Sequence, residues 1–334
     1  MLRFALLGAG FIGSVHAKNL ARHPDVDLAV VVDVDATRAD QLAQRYGAAA
    51  TTEEAVAFDP GRVDAVLVAS STDSHAHHLR RAADSGLAVL CEKPIDLDLA
   101  SAVEVGRHVS STGVPVMVDF NRRFDRAYAE LHRAVSEGEV GDVELVQLTS
   151  RGPTMPPLSY IASSGGQMRD QAVHFFDLAR WITGQDPVEV FAAGSALADP
   201  RVAEYGDVDT SVTTLRLPSG ALVQVDCARR TGYGYDEKIE VHGSTGMIEA
   251  RRQRSGAVTR YTGTRVVEDG LHAGWFERLQ PTYAAALDHF VRSVNTSVAP
   301  APSLKDGLRA QAIAEAATTS LTSRASVPIT YDLF

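Results

Sequence analysis

Leu2-Arg3-Phe4-Ala5-Leu6-Leu7-Gly8-Ala9-Gly10-Phe11-Ile12-Gly13 carries a short apolar run straight into three glycines spaced G-x-G-x-x-G, and a helical pattern, Ser14 to Arg22, follows at once. The run reads as a buried strand. Each glycine has its own task at such a strand-to-helix turn: Gly8 permits the tight turn, Gly10 lets the backbone approach a pyrophosphate, and Gly13 lets the new helix pack closely on the strand. The helix then presents unpaired N–H groups to the phosphates. A second apolar run, Leu28 to Val32, ends in Asp33, 20 residues beyond Gly13, where an acid accepts hydrogen bonds from an adenosine ribose. Strand, glycines, helix, strand and acid in this order predict a dinucleotide site that includes Gly8, Gly10, Phe11, Ile12, Gly13 and Asp33. Asp33 repels a 2′-phosphate and Val34-Asp35-Ala36 brings no cation directly after it, so NAD is expected over NADP. Arg38 is read as a solvated helix position.

Outward from this motif, Ala65 to Ala69, Leu87 to Cys91 and Pro115 to Phe120 are further short apolar runs, separated by the helical stretches His75 to Asp84 and Leu97 to Ser110. Alternating strands and helices predict a parallel doubly wound sheet, whose ligands lie beyond the carboxyl ends of its strands. Ser70, Thr72 and His75 after one strand, and Glu92 and Lys93 after the next, therefore join the expected cofactor residues. His75, His77 and His78 are too closely spaced at a helix start to converge on one ion, so capping and surface roles are expected and no metal.

The chain has 334 residues, about two domains' worth, with 45% hydrophobic and 22% charged residues, which fits a globular protein. Its net charge of −10 offers no footprint for nucleic acid or an anionic membrane. Cys91 and Cys227 lie in apolar strand-like runs without C-x-x-C spacing, which suits a reducing, cytoplasmic setting and excludes a zinc ribbon. The longest unbroken aliphatic runs are far shorter than the roughly 20 residues a membrane helix needs. Arg3, the apolar stretch to Gly13 and Val15-His16-Ala17 imitate a signal peptide, but the three glycines are better explained by the nucleotide turn.

Met168 to Thr183 reads as a largely buried helix on which Asp170, His174 and Asp177, at i, i+4 and i+7, share a face. Ionisable groups on an apolar helix are costly unless they meet partners or a ligand. A functional face is expected; a His–Asp pair satisfied by backbone and a D-x-x-x-H-x-x-D metal site are the alternatives.

Glu92-Lys93-Pro94, placed after the dinucleotide fingerprint, resembles the Gfo/Idh/MocA family of NAD(P)-dependent oxidoreductases. The resemblance extends through Phe120-Asn121-Arg122-Arg123-Phe124-Asp125, Gly165 to Asp177 and Gly232-Tyr233-Gly234-Tyr235-Asp236, stretches similar to those of inositol 2-dehydrogenases. It implies NAD-dependent oxidation of a cyclic polyol, myo- or scyllo-inositol, to an inosose; a pyranose sugar dehydrogenase and a non-catalytic dinucleotide-binding regulator are the rival readings. It also implies a triad of Lys93, Asp170 and His174. His174 titrates near neutrality and suits the base, Asp170 would orient its imidazole, and Lys93 would stabilise the developing alkoxide. Arg123, Asp177 and Tyr235 match polyol-contacting positions; a salt bridge from Arg123 to Asp125 or Asp119, and a hairpin-turn role for Tyr235, are the structural alternatives. Asp119 departs from the small residue usual there, and Asp73 lies in a variable loop.

After about Asn121 the pattern changes to a helix, Ala127 to Glu137, and then strand-like runs at 143–150, 188–195, 210–217, 221–228, 238–242 and 247–249. Pro218-Ser219-Gly220 and Ser244-Thr245-Gly246 predict antiparallel hairpins. The expected architecture is α/β: a Rossmann domain over 1–121 and an α/β domain with an open, mainly antiparallel sheet over 122–334, which binds the polyol and oligomerises. A terminal helix, 303–324, is expected to pack back on the first domain. Apolar residues on both faces of strands such as 221–225, with helices on one side only, predict a homo-oligomer, a tetramer or a dimer.

Overall fold

The structure, a computed structural model, describes Met1–Tyr331 in two compact units. The first comprises Met1–Phe124 and Thr282–Arg309, the second Asp125–Pro281 and Ala310–Tyr331.

In the first unit, β1 (Leu2–Leu7), β2 (Val26–Val32), β3 (Ala49–Thr51), β4 (Ala65–Val68), β5 (Ala88–Cys91) and β6 (Val116–Val118) form a parallel sheet in the order β3-β2-β1-β4-β5-β6. β4 and β5 are buried at every position, as strands covered on both faces must be. Helices α1 (Phe11–Leu20), α2 (Ala36–Tyr46), α3 (His75–Asp84) and α4 (Leu99–Thr112) connect them. Asp35 and Asp98 cap α2 and α4, each accepting from backbone N–H groups of the first turn. The strand order reverses between β1 and β4, so their carboxyl ends flank the crevice in which such sheets bind ligands. Phe4, Leu6, Val31, Leu67 and Leu90 fill the core with Ala17, Leu20 and Leu42, and Phe290 meets the Phe4 ring edge-on at 6.1 Å. Each such side chain contributes on the order of 2 kcal/mol by leaving water.

The second unit begins with α5 (Arg126–Ser136), whose first turn is capped by Asp125. Its sheet contains β7 (Val143–Arg151), β8 (Glu189–Ser195), β9 (Thr210–Arg216), β10 (Leu222–Ala228), β11 (Asp236–Gly243) and β12 (Gly246–Ala250). Together with a short strand, Val327–Pro328, beside β8, the order is β12-β11-β7-β10-β9-β8. The β9–β10 and β11–β12 hairpins close at the two turns read from sequence, and among the described pairings of this sheet only β7–β10 is parallel. A short helix α6 (Leu158–Ser163) precedes the buried helix α7 (Val173–Thr183). One sheet face leaves Phe191, Val212 and Leu222 about 40% exposed. Two long helices close the chain: α8 (Trp275–Thr296), absent from the sequence reading, and α9 (Leu304–Ser323). The terminal helix read as packing on the first domain divides: Leu304–Arg309 group with the first unit, Ala310–Ser323 with the second. Among the described residues no helix is long and apolar enough to cross a membrane.

Candidate active site

The glycine turn has a geometry that explains each of its residues. Gly8 has φ +98°, and a Cβ there would lie 2.5 Å from the Ala69 carbonyl oxygen. A Cβ on Gly13 would fall 2.0 Å from the Gly8 oxygen, which is the close strand–helix contact its position predicts. Gly10 differs: its φ of −74° suits any residue, and nothing lies within 4 Å of where its Cβ would be. Among the described residues no side chain caps α1, and Phe11 is 60% exposed while Ile12 is half-buried. Bare N–H groups beside open space at a helix start form a cradle for a phosphate. Asp33, at the end of β2, accepts from Ala9 N (2.7 Å) and Asp35 N (2.9 Å), which fixes its carboxylate next to the turn. The residues therefore fit a dinucleotide. Arg38, read as a solvated position, instead lies 3.1 Å from Asp33 and 3.3 Å from Asp35 while remaining half exposed.

At the ends of β4 and β5, Ser70 bonds Ser74 (2.7 Å) and His78 (3.1 Å), and Thr72 opens a single turn before α3. His75 is buried with its ring nitrogens 2.8 Å from the Pro94 oxygen and 3.1 Å from the Ser70 oxygen, so it ties the two loops together. The capping and surface roles expected of the three histidines fit only His77, which pairs with Glu54 at 2.8 Å. Burial pushes the His78 imidazole down to about 4, against the opposing pull of Glu54. Lys93 follows β5 half-buried.

Next to Lys93 in the chain, the Glu92 carboxylate accepts from His16 Nε2 at 2.8 Å, and Asp119 at the end of β6 approaches the same nitrogen at 3.7 Å. Asp119 is 1% exposed, and among the described residues neither of its carboxylate oxygens has a hydrogen-bond partner. Burial and the adjacent Glu92 push its carboxyl well above the usual range, with Arg122 opposing. Arg123, read as a polyol contact with a salt bridge to Asp125 or Asp119 as its structural alternative, pairs with Asp306 at 3.3 Å, while Asp125 caps α5 and binds Arg278 at 2.6 Å.

In the second unit, the segment read as one α-helix from Met168 opens with a π-helical turn, Met168–Ala172, before α7. Its wider winding alters the i, i+4 relation of Asp170 and His174 that a regular helix would give. Backbone hydrogen bonds do not hold this turn alone. Asp207 accepts from Gln167 N (2.8 Å), Gln167 Nε2 donates to the Asp209 oxygen (3.0 Å), and Gln171 Nε2 donates to the Ser150 oxygen (2.9 Å). Asp170 accepts from Tyr160 Oη (2.7 Å) and Arg229 Nη1 (3.0 Å). His174 is buried one turn further on, and Asp177 is fully buried with Arg180 at 4.0 Å. Tyr235, read as a possible hairpin-turn residue, is buried and donates to Glu237, which also accepts from Tyr128. Tyr160, Asp207 and Arg229 were missed in the sequence; an arginine directly after the buried run of β10 was the available signal.

A family model described as the oxidoreductase family with an NAD-binding Rossmann fold matches residues 2–120, and one for the GFO/IDH/MocA C-terminal domain matches 128–249. An inositol 2-dehydrogenase of Rhizobium meliloti is 39% identical over 98% of this chain and 99% of its own length. The chain belongs to the Gfo/Idh/MocA oxidoreductase family. A scyllo-inositol 2-dehydrogenase (NAD(+)) of Bacillus subtilis is 33% identical over 99% of this chain and 97% of that relative. The crystal structure of a myo-inositol dehydrogenase from Corynebacterium glutamicum superposes with a TM-score of 0.94 at 34% identity, covering 99% of each chain. As a Gfo/Idh/MocA member the protein is an NAD-dependent oxidoreductase.

Proposed function

We propose that this protein oxidises a ring carbinol of an inositol, myo-inositol first and scyllo-inositol next, to the corresponding inosose with NAD+. The observation that carries the reading is the presence of Lys93, Asp170 and His174 together in a chain that matches an inositol 2-dehydrogenase end to end. Gly8, Gly10, Gly13 and Asp33 hold the dinucleotide by its pyrophosphate and adenosine ribose, with Phe11, Ile12, Ser70, Thr72, His75 and Glu92 around it. Bound NAD+ supplies the acceptor for the carbinol hydride.

His174 accepts the hydroxyl proton, a task suited to an imidazole that titrates near neutrality. Asp170 orients the ring and stabilises its protonated form. Lys93 hydrogen-bonds the reacting oxygen and stabilises the negative charge that grows there. Arg123, Asp177 and Tyr235 read the remaining hydroxyls, since a polyol offers little apolar area and is selected by directed hydrogen bonds. The exposed Phe191, Val212 and Leu222 on one sheet face support a homo-oligomer, a tetramer or a dimer, and two buried cysteines fit a cytoplasmic protein.

The test is NADH formation by purified protein over a panel of inositols and aldoses, with NAD+ and NADP+ in parallel. Turnover with an inositol and NAD+ is expected. Preference for an aldose would move the assignment to a sugar dehydrogenase, and no rate with any member would overturn it.

A further inference from the structure

Arg229 follows β10 and is only 5% exposed, yet the sequence offers no packing reason for a guanidinium there. Its backbone N–H donates to the Asp209 oxygen at 2.8 Å, which pins the residue at the strand end. The side chain runs between two carboxylates. Nη1 donates to Asp170 at 3.0 Å, and Nη2 lies 3.7 Å from Asp207, an ion pair too long to be a hydrogen bond. Asp207 in turn caps the backbone at Gln167, immediately before the π-helical turn that carries Asp170.

We propose that Arg229 is the positioning residue for Asp170: it keeps that carboxylate ionised and aimed, and through Asp207 it braces the turn on which the carboxylate rides. This rests on the reading of Asp170 and His174 as an orienter and a base. A guanidinium 3.0 Å from a part-buried carboxylate favours its ionised form, and a protonated Asp170 could not stabilise an imidazolium. Tyr160 from α6 and Arg229 from the end of β10 are set against Asp170, with Asp207 beyond the guanidinium, and the proposed function brings Lys93 to the same reaction centre. On its own segment Arg169 is turned away to Glu315 of α9, at 2.5 Å, and His174 follows one turn later. Arg229 thus sets a cation against the charge of Asp170. The split between a short bond to Asp170 and a long approach to Asp207 also ranks the two carboxylates: Asp170 is the tighter partner and Asp207 the brace.

The experiment compares wild type, Arg229→Met, Arg229→Lys, Asp207→Asn, Asp170→Asn and His174→Ala with myo-inositol and NAD+ between pH 6 and 10, with circular dichroism and NAD+ titration as controls. Arg229→Met is expected to lower kcat by about 10- to 100-fold and to move the acid limb of the kcat profile to higher pH, because with a cation removed from beside Asp170 the carboxylate and the imidazolium it stabilises both hold their protons to higher pH. NAD+ affinity should hold. Arg229→Lys, which keeps the charge but reaches one carboxylate only, should recover much of the rate and return the limb; Asp207→Asn should cost less than Arg229→Met without moving it. An Arg229→Met enzyme with an unmoved limb, or an Arg229→Lys enzyme no better than Arg229→Met, overturns the proposal while leaving the base assignment intact. If Asp170→Asn and His174→Ala themselves turn over normally, the acid–base reading fails and the proposal falls with it.

Discussion

Gly10→Ala and Gly13→Ala make one chemical change three residues apart, and the structure sends them in opposite directions. At Gly13 the new methyl would lie 2.0 Å from a backbone oxygen, where carbon and oxygen ordinarily stop at about 3.3 Å. The shortfall of more than an ångström sits between two main-chain segments that cannot rotate away, so β1 and α1 must separate. We expect a loss of about 2–3 kcal/mol, which for a unit of this size lowers the melting temperature by roughly 5–10 °C. At Gly10 the methyl meets no atom within 4 Å and φ is already negative. Alanine there restricts the unfolded chain and should stabilise by about 0.5 kcal/mol, so the apoprotein melts at the wild-type temperature or slightly above it. The same methyl fills the approach that the pyrophosphate requires, and NAD+ affinity should fall by about tenfold or more, some 1.4 kcal/mol. Thermal melts of the apoproteins and calorimetric NAD+ titrations read the two effects separately. A Gly10→Ala protein that melts lower than wild type and binds NAD+ as tightly would refute the placement of the nucleotide at this turn.

Replacing Asp33 by Ala together with Val34→Arg should narrow the NAD+ over NADP+ preference, the more so because Arg38 loses the carboxylate it lies against; equal use of both cofactors by wild type would contradict this. His174→Ala should lower kcat by about 10²-fold or more with NAD+ affinity nearly unchanged, and near-normal turnover at neutral pH would remove it from the role of base. Lys93→Met keeps much of the volume but removes the charge, so polyol-dependent NADH production should slow by about two decades while the fold persists; circular dichroism and initial rates decide this together. For stability, His78 is neutral in the folded protein and takes up a proton on unfolding between pH 4 and 6.5, so its contribution is full above 6.5 and is lost as pH falls toward 4. The loss is at most about 3 kcal/mol, less with screening from solvent near Glu54; urea melts of wild type and His78→Gln should converge at pH 4.5 and separate at pH 7, and parallel pH curves would show the group to be silent.

The nucleotide-binding unit was largely legible because its signals are local. A glycine that must avoid a carbonyl, and an acid that must end a buried strand, leave marks within a few residues of each other. β3 escaped notice because three residues carry no period, and α8 because Pro281 in its seventh position reads as a helix breaker, although the apolar contacts of Leu287, Phe290 and Val291 carry the helix past it. The π-helical turn at 168–172 has no propensity signal at all. It exists because Gln167 and Gln171 are held by partners more than 20 residues away, and no window along the chain contains those partners. For the same reason Asp170 and His174 could be named from spacing, whereas Tyr160, Asp207 and Arg229, which set the surroundings of Asp170, could not. Arg38 was misjudged by composition: a half-exposed arginine reads as solvated, and only three dimensions bring it to Asp33.

Asp119 gives folding a measurable chemical stoichiometry. Burial and the adjacent Glu92 raise its carboxyl above the value it has in the unfolded chain, so once pH passes the ordinary carboxylate range this position draws protons from the buffer as the chain collapses. The enthalpy of unfolding just above the ordinary carboxylate range should therefore differ between buffers of unlike ionisation heat, by an amount that disappears in Asp119→Asn. The asparagine variant, carrying no charge to neutralise, should lose less stability than wild type as pH rises from that range. A single buried aspartate thus ties the first unit to pH in a way that its apolar core alone would not.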